Sequence, residues 1–572
     1  MKVSDYTASF LDAQGVEYVF EVVGGMITHL LDSIYRQGRI QLISTHHEQA
    51  AAFAADAMAR ITGVPGVAMA TSGPGATNLL TGIGSCYFDS SPAVFITGQV
   101  NRNEQRGIRA IRQLGFQEAD IVSMASPITK AAWNIESPEE VPSSLENAFT
   151  LALSGRPGPV LIDIPMDVQR AEISVEDPQR LSLPAAEDPD HRVIQELLAE
   201  LSIAQRPLIL AGGGIRSARA TDLFRGFAEK VRVPVVNSLM AVDALPYTHP
   251  LRVGLIGTYG HRWANTAIGH SDFLLALGSR LDIRQTGSDT EAFKGGRTVY
   301  HVDCEAGEIN NRVTGCRAIL SDLRSFLAQA ARMSAEGTFP DRADWLAEIA
   351  ELKHTWPDTA ELRGVSGTNP NEFMHQLAAA SPLAAAFVVD VGGNQMWAAQ
   401  SLELGPDQRF LTSGGMGAIG FALPAAIGAS LACPGRPVVV IAGDGGFQLN
   451  IQELQTVVHN HLPIKMVVLN NQCYGIVRQF QQSYFEGRYQ STIWGYSAPD
   501  FAQVAHAYGV ASHTVEDPSD VQEALDRMWY DPMSPYLLQV MIDTFANAYP
   551  KIAFGRPMTE MEPHAKPIGM GG

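Results

Sequence analysis

The sequence predicts an α/β protein of three domains, each a mostly parallel sheet flanked by helices. Apolar runs of strand length alternate with helical patterns along the whole chain. Near-continuous apolar strands that are each followed by a helix are typical of parallel sheets covered on both faces. The chain has 572 residues, and at roughly 150 residues per domain this exceeds what one core accommodates. Two stretches interrupt the alternation, 171–192 and 334–370.

The expected strands are short, apolar and rich in Val, Ile, Leu and Ala. They are 66–70, 93–97, 160–164, 207–211, 273–277, 386–389, 437–442 and 465–469. The first interruption is acidic and contains proline, and the second has a charged helical pattern between glycine- and proline-bearing segments. Cutting the chain there gives domains of ordinary size. They are a first domain, 1–170, a middle domain, 190–335, a third domain, 365–545, and a C-terminal tail, 546–572.

The charge balance narrows the classes of partner. Lys and Arg total 41 against 60 Asp and Glu, which gives a formal net charge of −19. Such a surface repels polyanions, so neither nucleic acid nor an anionic membrane surface is expected as a partner. The first 15 residues contain Asp5 and Asp12 and do not resemble a secretion signal. With five scattered cysteines and no apolar stretch of about 20 residues, a cytoplasmic protein is expected.

Polar residues follow two successive strands of the third domain in a pattern typical of a bound magnesium diphosphate. Strand 437–442 leads into Gly443 and Asp444, and strand 465–469 leads into Asn471. Asn471 follows Asp444 by 27 positions, enough for one strand–helix–strand crossover. Both residues are therefore expected at the carboxyl edge of one sheet, where α/β proteins bind ligands. Glycine lets the backbone approach a phosphate, and a carboxylate supplies a hard oxygen for Mg²⁺.

A carboxylate opens an alanine-rich helix in the first domain. Glu48 follows a strand-like segment, and alanines dominate the next positions. Glu48 could be a helix-start carboxylate that the helix dipole favours, or a proton-handling group in an apolar setting. The preceding His46 and His47 would point to opposite faces of a strand, so a metal site formed by them is not expected.

Together, the segments at Glu48, Asp444 and Asn471 resemble the signature of thiamine-diphosphate enzymes. A run at 412–421 (TSGGMGAIGF) adds to this likeness. The resemblance implies a thiamine-diphosphate-binding fold, in which Glu48 hydrogen-bonds the pyrimidine ring nitrogen of the cofactor. It implies Mg²⁺ ligands at Asp444, at the side chain of Asn471 and at the main-chain carbonyl of Cys473. The residues that it places against thiamine diphosphate are Gly392, Gly393, Asn394, Gly417, Ile419, Gly443, Gly445, Gly446, Phe447 and Ile476.

Over nearly the whole chain, the sequence is most similar to the acetohydroxyacid (acetolactate) synthase family. The segments that carry this likeness are 19–34, 70–79, 115–121, 127–130, 156–169, 395–400 and 470–481. The family implies a transferase that decarboxylates pyruvate on thiamine diphosphate and passes the two-carbon unit to a carbonyl acceptor. It also implies a homodimer or homotetramer with active sites at the subunit interface. The middle domain is then Rossmann-like and holds an FAD that takes no redox part.

The family's FAD and substrate residues have matching positions in this chain. Those implied for FAD are Gly212, Gly213, Gly214, Gly257, Thr258, Tyr259, Gly260, Arg280, Asp303 and Asp322. Those implied for substrate are Gly25, Phe116, Gln117, Arg284 and Phe480. Phe116 would form an apolar wall, and Gln117 would hydrogen-bond an oxygen of the substrate. Arg284 would bind the carboxylate of the second substrate, a task that suits a planar guanidinium.

The acceptor side departs from the family's pattern. Met166 stands in place of a Lys, Thr258 of a Met, Tyr259 of a His, Ile476 of a Met and Phe480 of a Trp. These departures favour a carboligase with an unusual aldehyde or ketone acceptor over an enzyme of branched-chain amino-acid synthesis. Carboligases that add a two-carbon branch to nucleotide-linked keto-sugars, as in yersiniose formation, are a group of this kind.

The expected activity is therefore a carboligation that yields a 2-hydroxyketone. The acceptor is a keto acid, an aldehyde or a ketone, and pyruvate as acceptor would give acetolactate. Two alternatives remain at this point: a pyruvate oxidase-type flavoenzyme, and a cofactor-binding relative without catalysis. The tail, 546–572, is expected either to close over the active site or to be disordered.

Overall fold

The first domain is a six-stranded sheet in which every neighbouring pair of strands is parallel. The structure is a computed structural model and describes residues 1–183 and 187–568. The strands are β1 Tyr18–Val22, β2 Gln41–Ser44, β3 Gly66–Ala70, β4 Ala93–Gln99, β5 Ala131–Asn134 and β6 Pro159–Pro165, in the order β2-β1-β3-β4-β6-β5. The helices are α1 Val3–Ala13, α2 Thr28–Gln37, α3 Glu48–Thr62, α4 Pro74–Asn78, α5 Leu80–Asp89, α6 Ile121–Ala125, α7 Val141–Leu153 and α8 Met166–Gln169.

The middle domain has the strand order of a dinucleotide-binding sheet. Its strands are β7 Pro207–Ala211, β8 Val235–Asn237, β9 Arg252–Leu255, β10 Phe273–Leu277, β11 Thr298–Asp303 and β12 Arg317–Leu320, in the order β12-β11-β10-β7-β8-β9. The order reverses between β7 and β10, and ligands bind at such a switch point. The helices are α9 His191–Ile203, α10 Gly214–Ser217, α11 Thr221–Val231, α12 Arg262–His270, α13 Ile283–Thr286, α14 Thr290–Lys294 and α15 Leu323–Ser334.

The third domain repeats the strand order of the first. Its strands are β13 Ala386–Val389, β14 Arg409–Thr412, β15 Val438–Gly443, β16 Ile464–Asn470, β17 Ala511–Val515 and β18 Tyr536–Met541, in the order β14-β13-β15-β16-β18-β17. When the strands are numbered from the first strand of each domain, the two sheets have the same strand order. A linker helix, α16 Ala343–Thr355, precedes the domain. The helices of the domain are α17 Pro370–Ala380, α18 Gly393–Ser401, α19 Ala422–Ala432, α20 Asp444–Gln448, α21 Leu454–His459, α22 Gly475–Tyr484, α23 Phe501–Ala507 and α24 Val521–Met528.

The predicted α/β architecture is confirmed. Each of the eight expected strands is present, with ends that differ by two residues or fewer. The sheets are entirely parallel where the sequence predicted mostly parallel sheets. No helix in the described part of the chain is long and apolar enough to cross a membrane.

The first and third domains share one hydrophobic core through two helices. The alanines of α3 are buried against α19. A Cβ added at Gly428 in α19 would lie 1.9 Å from the carbonyl oxygen of Ala54 in α3. Small residues on both helices therefore allow their backbones to approach closely, and they fix the start of α3 relative to the third domain.

The described part of the tail packs first on the third domain, where Ala546 is buried, and then on the middle domain. Two short strands, β19 Lys551–Ile552 and β20 Met561–Glu562, pair antiparallel. Met558 and Met561 are buried in the middle domain's core, and the Ile552 N–H donates to the Thr258 carbonyl at 2.8 Å. Residues 569–572 of the expected tail, and 184–186 of the first expected linker, lie outside the described residues.

Candidate active site

A large cavity lies where the three domains meet, and first-domain residues such as Arg60 and Asp89 form part of its wall. It has a volume of about 1590 Å³. From the third domain it is lined by Gly392, Gly393, Asn394, Gly417, Ile419, Gly443, Asp444, Gly445, Gly446, Asn471, Cys473 and Ile476. From the middle domain it is lined by Gly213, Gly214, Thr258, Tyr259, Arg280, Arg284, Asp303 and Asp322. We call this the central cavity; most of the cofactor residues implied by the sequence lie together in it.

Asp444 presents an oxygen that accepts no hydrogen bond from any described residue. It lies at the start of α20, is 2% exposed, and its Oδ2 is buried without a hydrogen bond in the described part of the protein. Burial raises the pKa of this carboxyl to about 6. A buried carboxylate oxygen with no donor is stabilised by a cation. The site at Asp444 therefore fits a metal ion.

Asn471 and Cys473 lie at the same edge of the sheet as Asp444. The Cys473 N–H donates to the Asn471 side-chain oxygen at 3.2 Å, which folds the chain into a turn after β16. The Cys473 thiol donates a hydrogen bond to the carbonyl oxygen of Thr544 at 3.3 Å. The described residues contain no cluster of three or more His, Cys, Asp or Glu that could hold a metal. A carboxylate, an amide oxygen and a main-chain carbonyl nevertheless form an oxygen set of the kind that Mg²⁺ takes.

Close packing leaves no space for a side chain at the two glycines after Asp444. A Cβ at Gly445 would lie 2.3 Å from the Tyr474 ring, and a Cβ at Gly446 would lie 2.6 Å from Asp390 Oδ1. Across the cavity, Gly392 has φ +153°, which an L side chain rarely adopts. The backbone thus approaches the cavity from both sides, and the first turn of α18 offers N–H groups to an anion. The geometry fits a diphosphate beside the metal site.

Asp390 holds the loop that carries Gly417 and Ile419. Its carboxylate is buried and accepts hydrogen bonds from the N–H groups of Gly420 at 3.0 Å and Ala422 at 2.9 Å. Burial raises the pKa of Asp390 to about 6, while the backbone donors act in the opposite direction. Asp390 was not among the residues predicted from the sequence. It follows β13 directly, however, just as Asp444 follows β15.

Phe447 has a side-chain environment that differs from that of its neighbours. Its ring is buried and packs edge-on against Phe501 at a centroid distance of 5.6 Å. The side chain of Phe447 therefore belongs to the core below the cavity, and the adjacent glycines form the surface that a ligand would meet.

Glu48 is the first residue of α3 and is buried. It is 8% exposed, and the Asn78 side-chain amide donates to its Oε2 at 2.9 Å. A Cβ added at Gly75 would lie 3.1 Å from Glu48 Oε1, so a glycine at this position gives the carboxylate its space. An N-terminal helix position favours its negative charge.

Glu48 does not line the central cavity of its own chain. Gly25 and Phe116 in the same domain are exposed, and they also lie outside it. Gln117 has φ +65°, and its carbonyl accepts a hydrogen bond from Ser72 at 2.7 Å. Within one chain the structure thus brings the predicted third-domain and middle-domain residues together, but the predicted first-domain residues Gly25, Glu48, Phe116 and Gln117 do not line the cavity.

The cleft of the middle domain lies at the switch point of its sheet. Gly212 and Gly214 follow β7, and Gly278 follows β10 with φ +58°. A Cβ at Gly212 would lie 2.1 Å from the Gly278 carbonyl, so the two strand ends pack without side chains. Gly213 and Gly214 line the central cavity, which fits a dinucleotide phosphate at this point.

The polar residues expected for FAD have mixed roles in the cleft. Asp303 lines the cavity at the end of β11. Asp322 lines it too, but its Oδ1 caps α15 by accepting from the N–H groups of Arg324 and Ser325. Gly257 and Gly260 do not line the cavity. A Cβ added at Gly257 would lie 2.2 Å from the Arg284 carbonyl oxygen, and one at Gly260 would lie 2.5 Å from the Ile256 carbonyl carbon.

Among the side chains expected on the acceptor side, Tyr259, Arg284 and Ile476 line the central cavity. The exposed guanidinium of Arg284 lines the cavity and has no ion pair or hydrogen bond to any described residue. Tyr259 packs with Met396 and Ile476. Phe480 lies one helical turn beyond Ile476 and does not line the cavity. Its ring packs at a tilt against Tyr484, with a centroid distance of 4.7 Å. Met396 and the close contact of Tyr474 with Gly445 were missed, because only tertiary packing reveals them.

Comparisons with known proteins identify the same three parts. The chain matches the N-terminal TPP binding domain of thiamine pyrophosphate enzymes over residues 1–124, the central domain over 194–330 and the C-terminal TPP binding domain over 390–540. It is 38% identical to the acetolactate synthase large subunit of Lactococcus lactis, covering 96% of this chain and 93% of that protein. It is 36% identical to the acetolactate synthase isozyme 2 large subunit of Escherichia coli, covering 98% and 99%. It is also 36% identical to the probable acetolactate synthase large subunit of Methanocaldococcus jannaschii, covering 98% and 95%.

Proposed function

The chain belongs to the acetolactate synthase family of thiamine pyrophosphate enzymes, and from this premise we propose that it joins pyruvate to a second carbonyl compound. It is a thiamine-diphosphate-dependent transferase of the acetolactate-synthase type. The observation that carries the proposal is the central cavity, in which the oxygen set around Asp444 and the unpaired guanidinium of Arg284 occur together.

The third domain would hold the diphosphate through Mg²⁺. Asp444, the Asn471 side chain and the Cys473 carbonyl would ligate the metal, and the turns at Gly392 and Gly445 would contact the phosphates. Thiamine diphosphate supplies the electron sink on which a 2-keto acid loses carbon dioxide and its two-carbon unit becomes a nucleophile. Asp390 would keep the Gly417–Ile419 loop in place, and Ile419 would give the cofactor an apolar support.

Glu48 would act on the cofactor from a second copy of the chain. Its carboxylate is buried, yet it does not line the central cavity of its own chain. A homodimer in which each α3 start meets the partner's cavity completes the site, since an isologous interface gives two such sites. There Glu48 would share a proton with the pyrimidine ring nitrogen. A tetramer would be a pair of these dimers.

The middle domain would hold FAD without using its redox chemistry. The strand-order switch and the packed glycines at 212, 214 and 278 support a dinucleotide there. We expect purified protein to contain flavin, whose oxidised absorption band persists when pyruvate is added without oxygen. Bleaching of that band by pyruvate would instead indicate a pyruvate oxidase.

The acceptor is proposed to be a keto acid, an aldehyde or a ketone. Arg284 would bind the carboxylate of a keto acid, and with pyruvate the product is acetolactate. Thr258 and Ile476 line this side of the cavity in place of the family's usual Met residues, and the change in its volume supports acceptors beyond pyruvate.

Product analysis tests the activity directly. Protein supplied with thiamine diphosphate, Mg²⁺, FAD and pyruvate should release carbon dioxide and form acetolactate, or another 2-hydroxyketone when an aldehyde is added. The absence of both carbon dioxide release and hydroxyketone with pyruvate would refute the proposed reaction.

A further inference from the structure

Tyr259 is a buried phenol whose hydroxyl has no partner in the described part of the chain. The residue follows β9, is 9% exposed, and lines the central cavity. Its ring packs against Met396, Ala548 and Ile476, so it contacts both the cofactor side and the tail. Its hydroxyl is not enclosed with the ring, since it is not among the buried polar atoms that lack a partner, and it is therefore open to the cavity that the residue lines. The structure therefore leaves this donor for a ligand of the cavity.

The surroundings of Tyr259 favour a neutral hydroxyl that donates. Burial raises the pKa of Tyr259 to about 12, and the positive charge of Arg284 acts in the opposite direction. At neutral pH the phenol therefore keeps its proton. The backbone of the segment is held in place, because the Tyr259 carbonyl accepts from the Gln400 side chain at 2.9 Å and the Thr258 N–H donates to the Arg284 carbonyl at 2.6 Å. A rigid neutral donor is suited to an oxygen that gains charge.

We propose that the Tyr259 hydroxyl donates a hydrogen bond to the carbonyl oxygen of the acceptor substrate. This inference rests on the carboligation proposed above. When the new carbon–carbon bond forms at the acceptor's carbonyl carbon, the electron pair of the C=O π bond moves to oxygen, and that oxygen takes up the proton which the hydroxyl of the two-carbon unit loses as it becomes the ketone of the product. The hydrogen bond from Tyr259 strengthens as that oxygen becomes negative, so it stabilises the transition state more than the bound substrate. The phenol does not need to give up its proton in this role.

Tyr259 and Arg284 would then bind different groups of the acceptor. A 2-keto acid has a carboxylate next to its carbonyl, and the two side chains line the same cavity. Arg284 would bind the carboxylate, which an aldehyde lacks, while Tyr259 would bind the carbonyl oxygen, which every acceptor has. Loss of the Tyr259 hydroxyl should therefore affect all acceptors, and loss of the Arg284 charge should affect keto acids alone.

The test compares two variants with two acceptors in the FAD-loaded holoenzyme. Tyr259→Phe removes the hydroxyl and keeps the packed ring. Tyr247→Phe is the matched control, because Tyr247 is a partly buried phenol of the same domain whose pKa is also raised to about 12 by burial and which lies outside the cavity. Arg284→Gln is the second variant. Pyruvate is the donor, and either pyruvate or propionaldehyde is the acceptor.

The readout is the amount of hydroxyketone formed for each carbon dioxide released. For Tyr259→Phe we expect this ratio to fall about 100-fold with both acceptors, the loss typical of removing one donor to a developing oxyanion. The two-carbon unit would then leave as acetaldehyde. Arg284→Gln should lower the ratio for pyruvate alone, and Tyr247→Phe should match the unchanged protein.

Three outcomes for the reaction products would overturn the role of Tyr259. They are a Tyr259→Phe ratio equal to that of Tyr247→Phe, an equal fall in carbon dioxide and hydroxyketone, or a loss confined to pyruvate as acceptor. A loss of bound flavin in Tyr259→Phe would also overturn it, by assigning the hydroxyl to FAD. Failure of the proposed function is distinct, since the unsubstituted protein would then release no carbon dioxide from pyruvate.

Discussion

The side-chain amide of Asn78 donates a hydrogen bond of 2.9 Å to the carboxylate of Glu48. This contact orients one oxygen of a buried acid at the start of α3 and leaves the other beside Gly75. The carboxylate has no cation partner among the described residues. It is thus oriented without being neutralised, which is suited to a group that shares a proton with a ligand.

Replacing Glu48 by Gln should remove turnover and preserve the fold. The amide keeps the size of the side chain but cannot exchange a proton at pH 7, a role that contributes about 10²- to 10⁴-fold to rate. Carbon dioxide release from pyruvate measures the loss, and thermal unfolding checks the fold. Glu17→Gln, the same change at an exposed position, should retain the full rate. A near-normal rate for Glu48→Gln would remove Glu48 from the catalytic site.

Replacing Asp444 by Asn should abolish stabilisation by the cofactor. At 100 times its Kd, a ligand stabilises the folded protein by about 2.7 kcal/mol, so thiamine diphosphate with Mg²⁺ should raise the Tm by several degrees. The variant should lose this rise because the unpaired Oδ2 that would bind the metal is gone. A chelator should have the same effect on the unchanged protein, and Asp341→Asn, at an exposed position, should have none. An unaltered rise in Asp444→Asn would contradict the assigned metal site.

His375 should make stability depend on pH near neutrality. Its ring nitrogens lie 2.8 Å from Asp358 and 2.8 Å from Glu403, and it ties the segment after the linker helix to α17. Burial lowers the pKa of His375, but the two carboxylates outweigh it and raise the pKa above the ordinary 6.5. The stabilisation is therefore complete below about pH 6.5 and is lost as the pH rises through the folded-state pKa.

The corresponding measurement is the Tm of His375→Gln at several pH values. The variant should unfold at a lower temperature than the unchanged protein at pH 6, and the difference should shrink by pH 9. A difference in Tm that stays constant from pH 6 to pH 9 would show that the imidazolium charge does not contribute.

The third-domain site was largely predictable because it is local in sequence. Asp444 and Asn471 each follow a buried strand, and parallel strands bring their carboxyl ends to one edge. The same reasoning applied to β13 would have found Asp390. The identical winding of the first and third sheets was not predictable, since strand order depends on packing between segments far apart in the chain.

The position of Glu48 relative to the cavity could not be predicted from the local sequence pattern. Its place at the start of a helix was expected, but its environment of Asn78 and Gly75 depends on how α3 and α4 pack. The Tyr259 hydroxyl was equally unpredictable, because only the positions of its neighbours show that no described residue hydrogen-bonds it. Phe447 illustrates the same limit, because the family resemblance predicted a contact with the cofactor, while only the packing shows that its ring lies against Phe501 in the core.

Glu48 of one chain and Asp444 of another are proposed to form one active site. Co-expressing Glu48→Gln and Asp444→Asn chains with different tags allows the mixed dimer to be purified. In that dimer one site carries both changes and the other carries neither, so an isologous arrangement predicts about half of the normal activity. Each variant alone should be nearly inactive. A mixed dimer that is as inactive as its parents would contradict the shared site.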